Sequence, residues 1–282
     1  MRIGFIGAGL MGHGMVLNLL KHGHEVHVIA HRNRAPIEDL LAKGAREAAS
    51  LDQIAHSSDC IVLCLSSSKI VEETVAALRP SLHFGQIIID AGTSEPESTR
   101  RLAGELAALG IAYADAPLTG GPEQAASAEL GVLCGASPET FSNILPLLSC
   151  FASTIRHMGP VGSGHAAKLI SNFLVTGMIA LVTQAFDAAR KANIDWRNLY
   201  DVMLNGSGNS GVLRKMVAPA LEGDLDGYRF SLANASKDIG YFKSLASGLG
   251  MDTALVGAVE DVFSAAIANG HGQKNVSRLL DL

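Results

Sequence analysis

The sequence predicts an α/β domain followed by an all-α domain. Short β-branched runs alternate with Ala/Leu-rich helical patterns up to about residue 160, and helical patterns alone follow. A Gly/Pro/Ser segment, Gly159–Gly164, separates the two regions and is typical of a linker. A chain of 282 residues is long enough for two domains. We therefore place an N-terminal domain at 1–160 and a C-terminal domain at 161–282.

The elements of the first domain alternate along the chain. Its predicted strands are apolar throughout rather than alternating with polar residues, as in a parallel sheet covered on both faces. These strands are Arg2–Ile6, Glu25–Ala30, Cys60–Leu65, Gln86–Asp90, Ala112–Ala114 and Gly131–Cys134. The predicted helices are Met11–Lys21, Ala35–Ala42, Ile70–Leu78, Glu97–Ala108 and Pro138–Leu148. Strands that alternate with helices in this way predict a doubly covered parallel sheet.

The second domain is predicted to be helical. Its helices are Ala166–Lys191, Trp196–Leu204, Gly211–Leu221, Ala235–Leu249 and Thr253–Asn269. The first contains an apolar run, Leu169–Phe186, that is long enough to cross a membrane. Asn172 and Gln184 interrupt this run, and no basic flank or aromatic belt accompanies it. We therefore expect no membrane contact, and burial of the helix within a homodimer or homotetramer.

Composition excludes several classes of protein. The chain is 48% hydrophobic and 17% charged, which excludes a disordered chain, and its 30 glycines show no three-residue period, which excludes collagen. The net charge of −5 argues against a nucleic-acid partner. The four cysteines, in no metal-binding or paired spacing, predict free thiols in a reducing compartment. We expect no targeting segment and a cytoplasmic protein.

A glycine motif follows the first predicted strand. Gly7, Gly9 and Gly12 form GxGxxG between a strand and a helix, the context in which this motif binds a dinucleotide. The first glycine permits a tight turn, the second admits the pyrophosphate, and the third lets helix and strand pack closely. The N-terminus of the helix then presents N–H groups to the phosphates.

The end of the second strand indicates which dinucleotide binds. An NAD site usually has a carboxylate here that accepts from the ribose 2′-hydroxyl. This sequence has His31-Arg32-Asn33-Arg34 instead. Arginine can hold a 2′-phosphate through charge-assisted hydrogen bonds. Arg32 and Arg34 therefore predict NADP, with NAD less favoured; the alternative is a solvated basic turn.

A metal site is not expected. His22, His24 and His27 are close in sequence, but they fall around a helix-to-strand turn and match neither a metalloprotease helix nor a zinc module.

Four stretches together resemble the β-hydroxyacid dehydrogenase family. They are Gly4-Phe-Ile-Gly-Ala-Gly-Leu-Met-Gly12, Asp115-Ala-Pro-Leu-Thr-Gly-Gly121, Gly159-Pro-Val-Gly-Ser-Gly-His-Ala-Ala-Lys168-Leu-Ile-Ser-Asn172 and Lys237-Asp238-Ile239. Their order and spacing cover nearly the whole chain. The resemblance implies a Rossmann-type domain joined by a long helix to an α-helical domain. It also implies NAD(P)-dependent oxidation of 3-hydroxy acids or reduction of the matching semialdehydes.

The resemblance assigns roles to particular residues. Lys168 and Asn172 are the expected catalytic residues, and a small carboxylic acid is expected at Thr119, Gly120, Gly121 and Lys237. The expected cofactor-binding residues are Gly7, Gly9, Leu10, Met11, Gly12, His31, Arg32, Asn33, Leu65, Thr93 and Lys237. Backbone amides at Gly120 and Gly121 are expected to bind the carboxylate. Departures such as Thr119 in place of the family's serine leave the substrate open.

Residue chemistry supports Lys168 independently. Lys168 and Asn172 are four residues apart, so a helix places them on one face. Hydride transfer to a carbonyl leaves negative charge on oxygen, and a sheltered lysine with a lowered pKa can supply the proton. Two alternatives remain. An imine reductase generally has Asp or Tyr at this lysine position, and a non-catalytic NADP-binding module generally lacks the lysine.

Overall fold

The computed structural model describes residues 1–31 and 33–282. The chain forms two compact units, Met1–Lys168 and Leu169–Leu282. The division falls inside a long helix, whereas the sequence analysis places the domain boundary at residue 160. The predicted fold class, an α/β domain followed by a helical domain, is confirmed.

A nine-stranded sheet organises the first unit. The strands are β1 (Arg2–Ile6), β2 (Glu25–Val28), β3 (Arg46–Glu47), β4 (Cys60–Leu63), β5 (Ile87–Asp90), β6 (Ala112–Asp115), β7 (Leu118–Thr119), β8 (Leu130–Gly135) and β9 (Ala152–Gly159). Their order is β3-β2-β1-β4-β5-β6-β8-β7, and β9 pairs with β8. Strands β1 to β6 are parallel, whereas β8 is antiparallel to β6 and β7. The sheet is therefore mixed, which corrects the expectation of a purely parallel one.

Helices cover both faces of the parallel strands. They are α1 (Gly12–Lys21), α2 (Ala35–Ala42), α3 (Leu51–Ser57), α4 (Ser68–Leu78), α5 (Pro96–Ala107), α6 (Pro122–Ser127) and α7 (Pro138–Leu148). Alternate residues of one strand enter two separate apolar cores: Val62 joins one, and Ile61 and Leu63 join the other. Burial on both faces explains why these strands are apolar throughout.

Several short elements escaped the sequence analysis. Helices α3 and α6 are only seven and six residues long, too short for a helical period to show. Strand β9 was missed because most of its side chains are exposed at the edge of the sheet. Its sequence therefore lacks an apolar run.

The second unit is helical, as expected. Helix α8 (Ser163–Lys191) enters it from the first unit, and α9 (Trp196–Leu204), α10 (Gly211–Leu221), α11 (Leu232–Gly248) and α12 (Ala254–Ala268) follow. Residues 169–282, all of them described, contain no strand beyond an isolated bridge between Ser231 and Asn275. Phe186 is fully buried and meets Trp196 edge-on at 5.1 Å between ring centroids. Aromatic packing of this kind anchors the core of the unit.

Candidate functional site

The glycine loop lies where the strand order of the sheet reverses, between β1 and β4. Gly7 has a φ of +99°, and a Cβ atom there would lie 2.2 Å from the carbonyl oxygen of Cys64. A Cβ at Gly12 would lie 2.3 Å from the carbonyl oxygen of Gly7. A Cβ at Gly9 would meet no described atom within 4 Å. Two of the glycines are thus required by the fold itself, and the open side of Gly9 is the approach that a ligand would need.

The N-terminus of α1 carries no side-chain cap. Met11, at its cap position, makes no side-chain hydrogen bond, and the first turn holds no acidic residue. By contrast, Ser67 and Ser137 cap α4 and α7 of the same unit. Leu10 is 79% exposed. An uncapped first turn beside an open glycine fits the pyrophosphate of a dinucleotide.

The turn after β2 is only partly described, since Arg32 lies outside the described residues. His31 and Asn33 are exposed, and Asn33 Oδ1 accepts a hydrogen bond from the Ala35 N–H at 3.2 Å. Arg34 donates two hydrogen bonds to the Glu47 carboxylate, at 3.0 and 3.1 Å. This contact holds the pKa of Glu47 below its usual value. Arg34 is therefore engaged by a carboxylate, which argues against its expected role as a phosphate ligand.

The loops after β4 and β5 contain the other expected cofactor residues. Leu65 is half-buried beside Gly7, where a Cβ would lie 3.3 Å from Leu65 Cδ2. Thr93 is half-buried in the loop after β5. Buried Asp90 holds this loop, because its carboxylate accepts from the Gly92 N–H at 2.9 Å and the Ser94 hydroxyl at 2.8 Å.

The expected acid-binding segment follows β6. Thr119 is half-buried on β7, and Gly120 has a φ of +108°, which favours glycine. The Gly121 N–H donates to Gln124 Oε1 at 2.8 Å, capping α6. The expectation that this amide is open to a ligand carboxylate is therefore wrong. Gln124 gave no sign of this in the sequence, because glutamine at that position is common on helix surfaces.

Helix α6 packs directly on α1, the helix that follows the glycine loop. Asn18 Nδ2 donates to the carbonyl oxygens of Gly14 at 3.0 Å, Ala125 at 2.9 Å and Ala126 at 3.3 Å. A Cβ at Gly14 would lie 2.7 Å from the Ala125 backbone. The two helices are thus in backbone contact, joined by one buried amide.

The start of α8 is also held close to the sheet. Buried Asp115 accepts from the Gly162 and His165 N–H groups, both at 2.7 Å. Burial raises the pKa of Asp115, while His165 and the backbone donors oppose that rise. A Cβ at Gly164 would lie 2.3 Å from the Leu133 carbonyl oxygen. Lys168, half-buried, follows one turn after this anchored segment.

In the second unit, a buried carboxylate joins two of the expected site residues. Asp238 is 4% exposed. Its Oδ2 accepts from Asn172 Nδ2 at 2.6 Å, and its Oδ1 lies 2.8 Å from Lys237 Nζ. Lys237 also lies over the Tyr241 ring, 4.9 Å from its centroid. The sequence analysis quoted Asp238 within a motif but gave it no role; its position beside Lys237 was the signal.

Among the described residues, no three His, Cys, Asp or Glu side chains are grouped so that they could hold a metal ion. Helix α8 is apolar and long enough to cross a membrane, with a mean hydropathy of 1.7. A third of the most apolar 18-residue window is buried within the chain, and length and composition alone do not establish a membrane span.

Two family models and several known proteins are similar in sequence to this chain. The model of the NAD-binding domain of 6-phosphogluconate dehydrogenase matches residues 2–159. A second family model, for the NAD-binding region of NADP-dependent 3-hydroxyisobutyrate dehydrogenase, matches residues 162–282. 2-(Hydroxymethyl)glutarate dehydrogenase of Eubacterium barkeri is 29% identical, over 99% of this chain and 93% of the relative.

Two proteins named 3-hydroxyisobutyrate dehydrogenase are also similar to this chain. That of Pseudomonas aeruginosa is 30% identical, over 93% of this chain and 91% of the relative. The structure of the Mycobacterium tuberculosis enzyme with L-serine is 25% identical, with a TM-score of 0.90 over 99% of this chain and 98% of that one. The chain thus belongs to the β-hydroxyacid dehydrogenase family, and it is an enzyme of the NAD(P)-dependent oxidoreductase class.

Proposed function

We propose that this enzyme transfers hydride reversibly between NADP and a short 3-hydroxy acid, whose oxidised form is a semialdehyde. The relatives from Eubacterium barkeri and Pseudomonas aeruginosa are named for acids with a hydroxyl group on the carbon β to a carboxylate. L-Serine, present in the M. tuberculosis structure, has the same arrangement. The observation that carries the proposal in this chain is the spacing of Lys168 and Asn172 on α8, with Asn172 held by buried Asp238.

We assign proton transfer to Lys168. The bound cofactor supplies the hydride, and its transfer to a carbonyl carbon leaves negative charge on the oxygen. The Lys168 ammonium group donates a proton to that oxygen during reduction, and the neutral amine accepts it during oxidation. The first turn of α8 is fixed by Asp115, so the lysine is presented from a rigid segment.

Asn172 orients the reacting oxygen. Asp238 accepts one N–H of the Asn172 amide, which fixes the end of the side chain that donates. The second N–H of that amide is the donor that we assign to the substrate oxygen. Helical spacing places it on the same face of α8 as Lys168.

The substrate carboxylate is assigned to Thr119, Gly120 and Lys237. The Thr119 hydroxyl and the Gly120 backbone supply neutral donors, and Lys237, paired with buried Asp238, supplies a positive charge. With the Gly121 amide already bonded to Gln124, the hydroxyl of Thr119 takes a larger share of the binding. Such a small donor set suits an acid of about three to five carbons.

The preference for NADP rests on the turn after β2. With Arg34 bound to Glu47, the proposal depends on Arg32, with His31 and Asn33 as neutral neighbours. No acidic residue stands at positions 29–34, where an NAD enzyme would bind the ribose hydroxyls.

The proposal includes a homodimer or homotetramer built on α8. Leu174, Leu181 and Leu255 are 65–69% exposed and border an apolar groove of about 350 Å³ between α8 and α12. Apolar side chains exposed in one continuous patch mark an interface. We expect a second copy of this chain to cover them, and we expect the enzyme in the cytoplasm, where its four cysteines stay reduced.

A substrate panel tests the activity. Purified enzyme is mixed with NADPH and with glyoxylate or succinic, tartronic or methylmalonic semialdehyde, and a cyclic imine is included to test the imine reductase alternative. We expect turnover with tartronic or methylmalonic semialdehyde, whose reduction gives a 3-hydroxy acid, and none with the imine. Turnover of the imine alone would refute the proposal.

A matched pair of lysine variants tests the mechanism. Lys168→Ala should lower kcat by about 10²–10⁴-fold, the usual effect of removing a positioned acid, with little change in NADPH affinity. Lys191→Ala, at the exposed end of the same helix, removes only a surface ion pair with Asp187 and should leave kcat unchanged. Equal kcat in the two variants would refute the assignment of Lys168.

A further inference from the structure

A cluster of buried ionisable groups lies beneath the start of α8. Asp90, Asp115 and His165 are each 0% exposed. His165 Nε2 lies 3.7 Å from Asp90 Oδ2, and His165 Nδ1 lies 3.9 Å from Asp115 Oδ2. The proposed chemistry uses none of these three side chains directly. Two buried carboxylates are costly unless a positive charge accompanies them.

The hydrogen bonds around the imidazole identify the proton on Nδ1. Thr99 Oγ1 donates to the Glu95 carbonyl oxygen at 3.0 Å, so its hydroxyl proton is used there. The same oxygen lies 2.8 Å from His165 Nδ1 and must accept from it. Nδ1 of His165 therefore carries a proton.

The other ring nitrogen faces a carboxylate that only accepts. Asp90 receives hydrogen bonds from the Gly92 N–H, the Ser94 hydroxyl and, at 3.4 Å, the Tyr113 hydroxyl. Nε2 of His165 is buried and forms no hydrogen bond with any described residue. Without a proton, its lone pair would point toward the negative Asp90 oxygen at 3.7 Å. With a proton, the contact becomes attractive.

We propose that His165 is a positioning residue, a buried imidazolium that ties the first turn of α8 to the ends of β5 and β6 and thereby positions Lys168. Its ring faces Asp90 of β5, its backbone N–H binds Asp115 of β6, and Lys168 follows three residues later. The link to Lys168 rests on the proposed function. The charge state does not.

Polar and ionisable groups surround this ring and its two carboxylates, and they include the Cys64 thiol near Asp90 and the Cys134 thiol near Asp115. Helix α5 contributes Thr99, and also Arg100, whose Nη1 would lie 3.0 Å from a Cβ at Gly162. Strand β6 contributes Tyr113 as well as Asp115. Burial and the two carboxylates raise the pKa of Tyr113 well above its usual value, so its hydroxyl stays neutral. The His165 ring lies within 4 Å of both carboxylates.

Nitrogen NMR of the full chain, labelled with ¹⁵N-histidine, reads the charge directly. The His165 signals are assigned by their loss in His165→Gln and, independently, by their shift in Thr99→Val. At pH 7.5 we expect both ring nitrogens of His165 to be protonated. A neutral ring with a single N–H would overturn the proposal, and because Thr99→Val assigns the signals independently, the result does not depend on the folding of His165→Gln.

A rescue experiment tests what the charge does. His165→Gln removes the charge, and we expect a lower urea midpoint and a kcat reduced by about 10–100-fold, as for a misplaced catalytic group. Adding Asp90→Asn removes one uncompensated carboxylate and should recover at least half of the lost midpoint. As a control, His157→Gln alters an exposed histidine that contacts only the Ala136 carbonyl and the Phe141 ring. Asp90→Asn should not rescue that variant.

Each result bears on a separate part of the proposal. Additive losses in His165→Gln/Asp90→Asn would overturn the charge compensation. An unchanged kcat in folded His165→Gln would overturn the positioning role. Absence of turnover by the wild-type enzyme on every acid would instead refute the proposed function, while the NMR and urea results would still decide the charge of His165.

Discussion

Replacing each glycine of the nucleotide loop by alanine should separate folding from cofactor binding. At Gly9, a Cβ meets no described atom within 4 Å and φ lies outside the left-handed region, so alanine fits the fold. The stability of Gly9→Ala should therefore stay within about 0.5 kcal/mol of wild type. At Gly7, alanine must adopt a φ of +99° and approach the Cys64 carbonyl oxygen to 2.2 Å. The left-handed backbone alone costs about 1–2 kcal/mol.

Cofactor affinity should change in the opposite order to stability. The methyl group of Gly9→Ala would project into the space that we assign to the pyrophosphate. Loss of one charge-assisted hydrogen bond costs about 1.5–3 kcal/mol. At about 1.4 kcal/mol per factor of ten, NADPH should bind about 10–100-fold more weakly.

Calorimetric titration with NADPH and chemical unfolding of the same samples test both effects. Gly9→Ala should have the unfolding midpoint of the wild-type protein and bind NADPH weakly. Gly7→Ala should unfold at a lower denaturant concentration than the wild-type protein. Gly12→Ala should follow Gly7→Ala, because its Cβ would lie 2.3 Å from the Gly7 carbonyl oxygen. The reasoning would be refuted by wild-type NADPH affinity in Gly9→Ala, or by an equal loss of stability in all three variants.

Three further outcomes are expected. We expect wild-type kcat/KM to favour NADPH over NADH by about 10–10³-fold, and Arg32→Asp should abolish this preference. Arg34→Ala should leave the preference intact. Equal use of both cofactors by the wild-type enzyme would contradict the assignment. Light scattering should show at least a dimer of about 59 kDa, twice the mass of the 29.4 kDa chain. Leu181→Glu should dissociate this dimer, whereas the control Phe84→Glu should not. A monomeric wild-type protein would exclude the proposed interface on α8. Burial raises the pKa of Cys60, Cys64 and Cys134 to about 12 from 9.0. Stability from these thiols is complete below pH 9 and is lost as pH rises toward 12, so the urea midpoint should fall over that range, and less steeply in Cys134→Ala.

The buried part of the first unit could be predicted from the sequence because burial on both faces leaves a strong signal. Strand β1 and helices α2 and α7 have the predicted bounds. The predicted ends of β2 and β4 run two residues too far, since apolar letters continue into the loops. Strand β9 is the opposite case. It pairs along β8, but most of its side chains are exposed, so its sequence contains no apolar run that would predict a strand.

Contacts between distant side chains could not be predicted in the same way. Arg34 looked available in the sequence because Glu47, its partner, lies 13 residues away on a two-residue strand. The charge environment of His165 depends on Asp90, 75 positions earlier in the chain. No local pattern records such pairs, because topology alone brings them together.

The Asn18 clamp between α1 and α6 limits how this enzyme can be redesigned. Helix α1 follows the nucleotide loop, and α6 follows its cap residue Gly121. The buried side-chain amide of Asn18 therefore joins the two helices. With a Cβ at Gly14 only 2.7 Å from the Ala125 backbone, the helices have no room to slide. We therefore expect substitutions that tilt α1 to shift the Gly120–Gly121 turn as well. If that turn binds the acid, a laboratory that moves α1 to alter cofactor binding should screen acid choice in the same library.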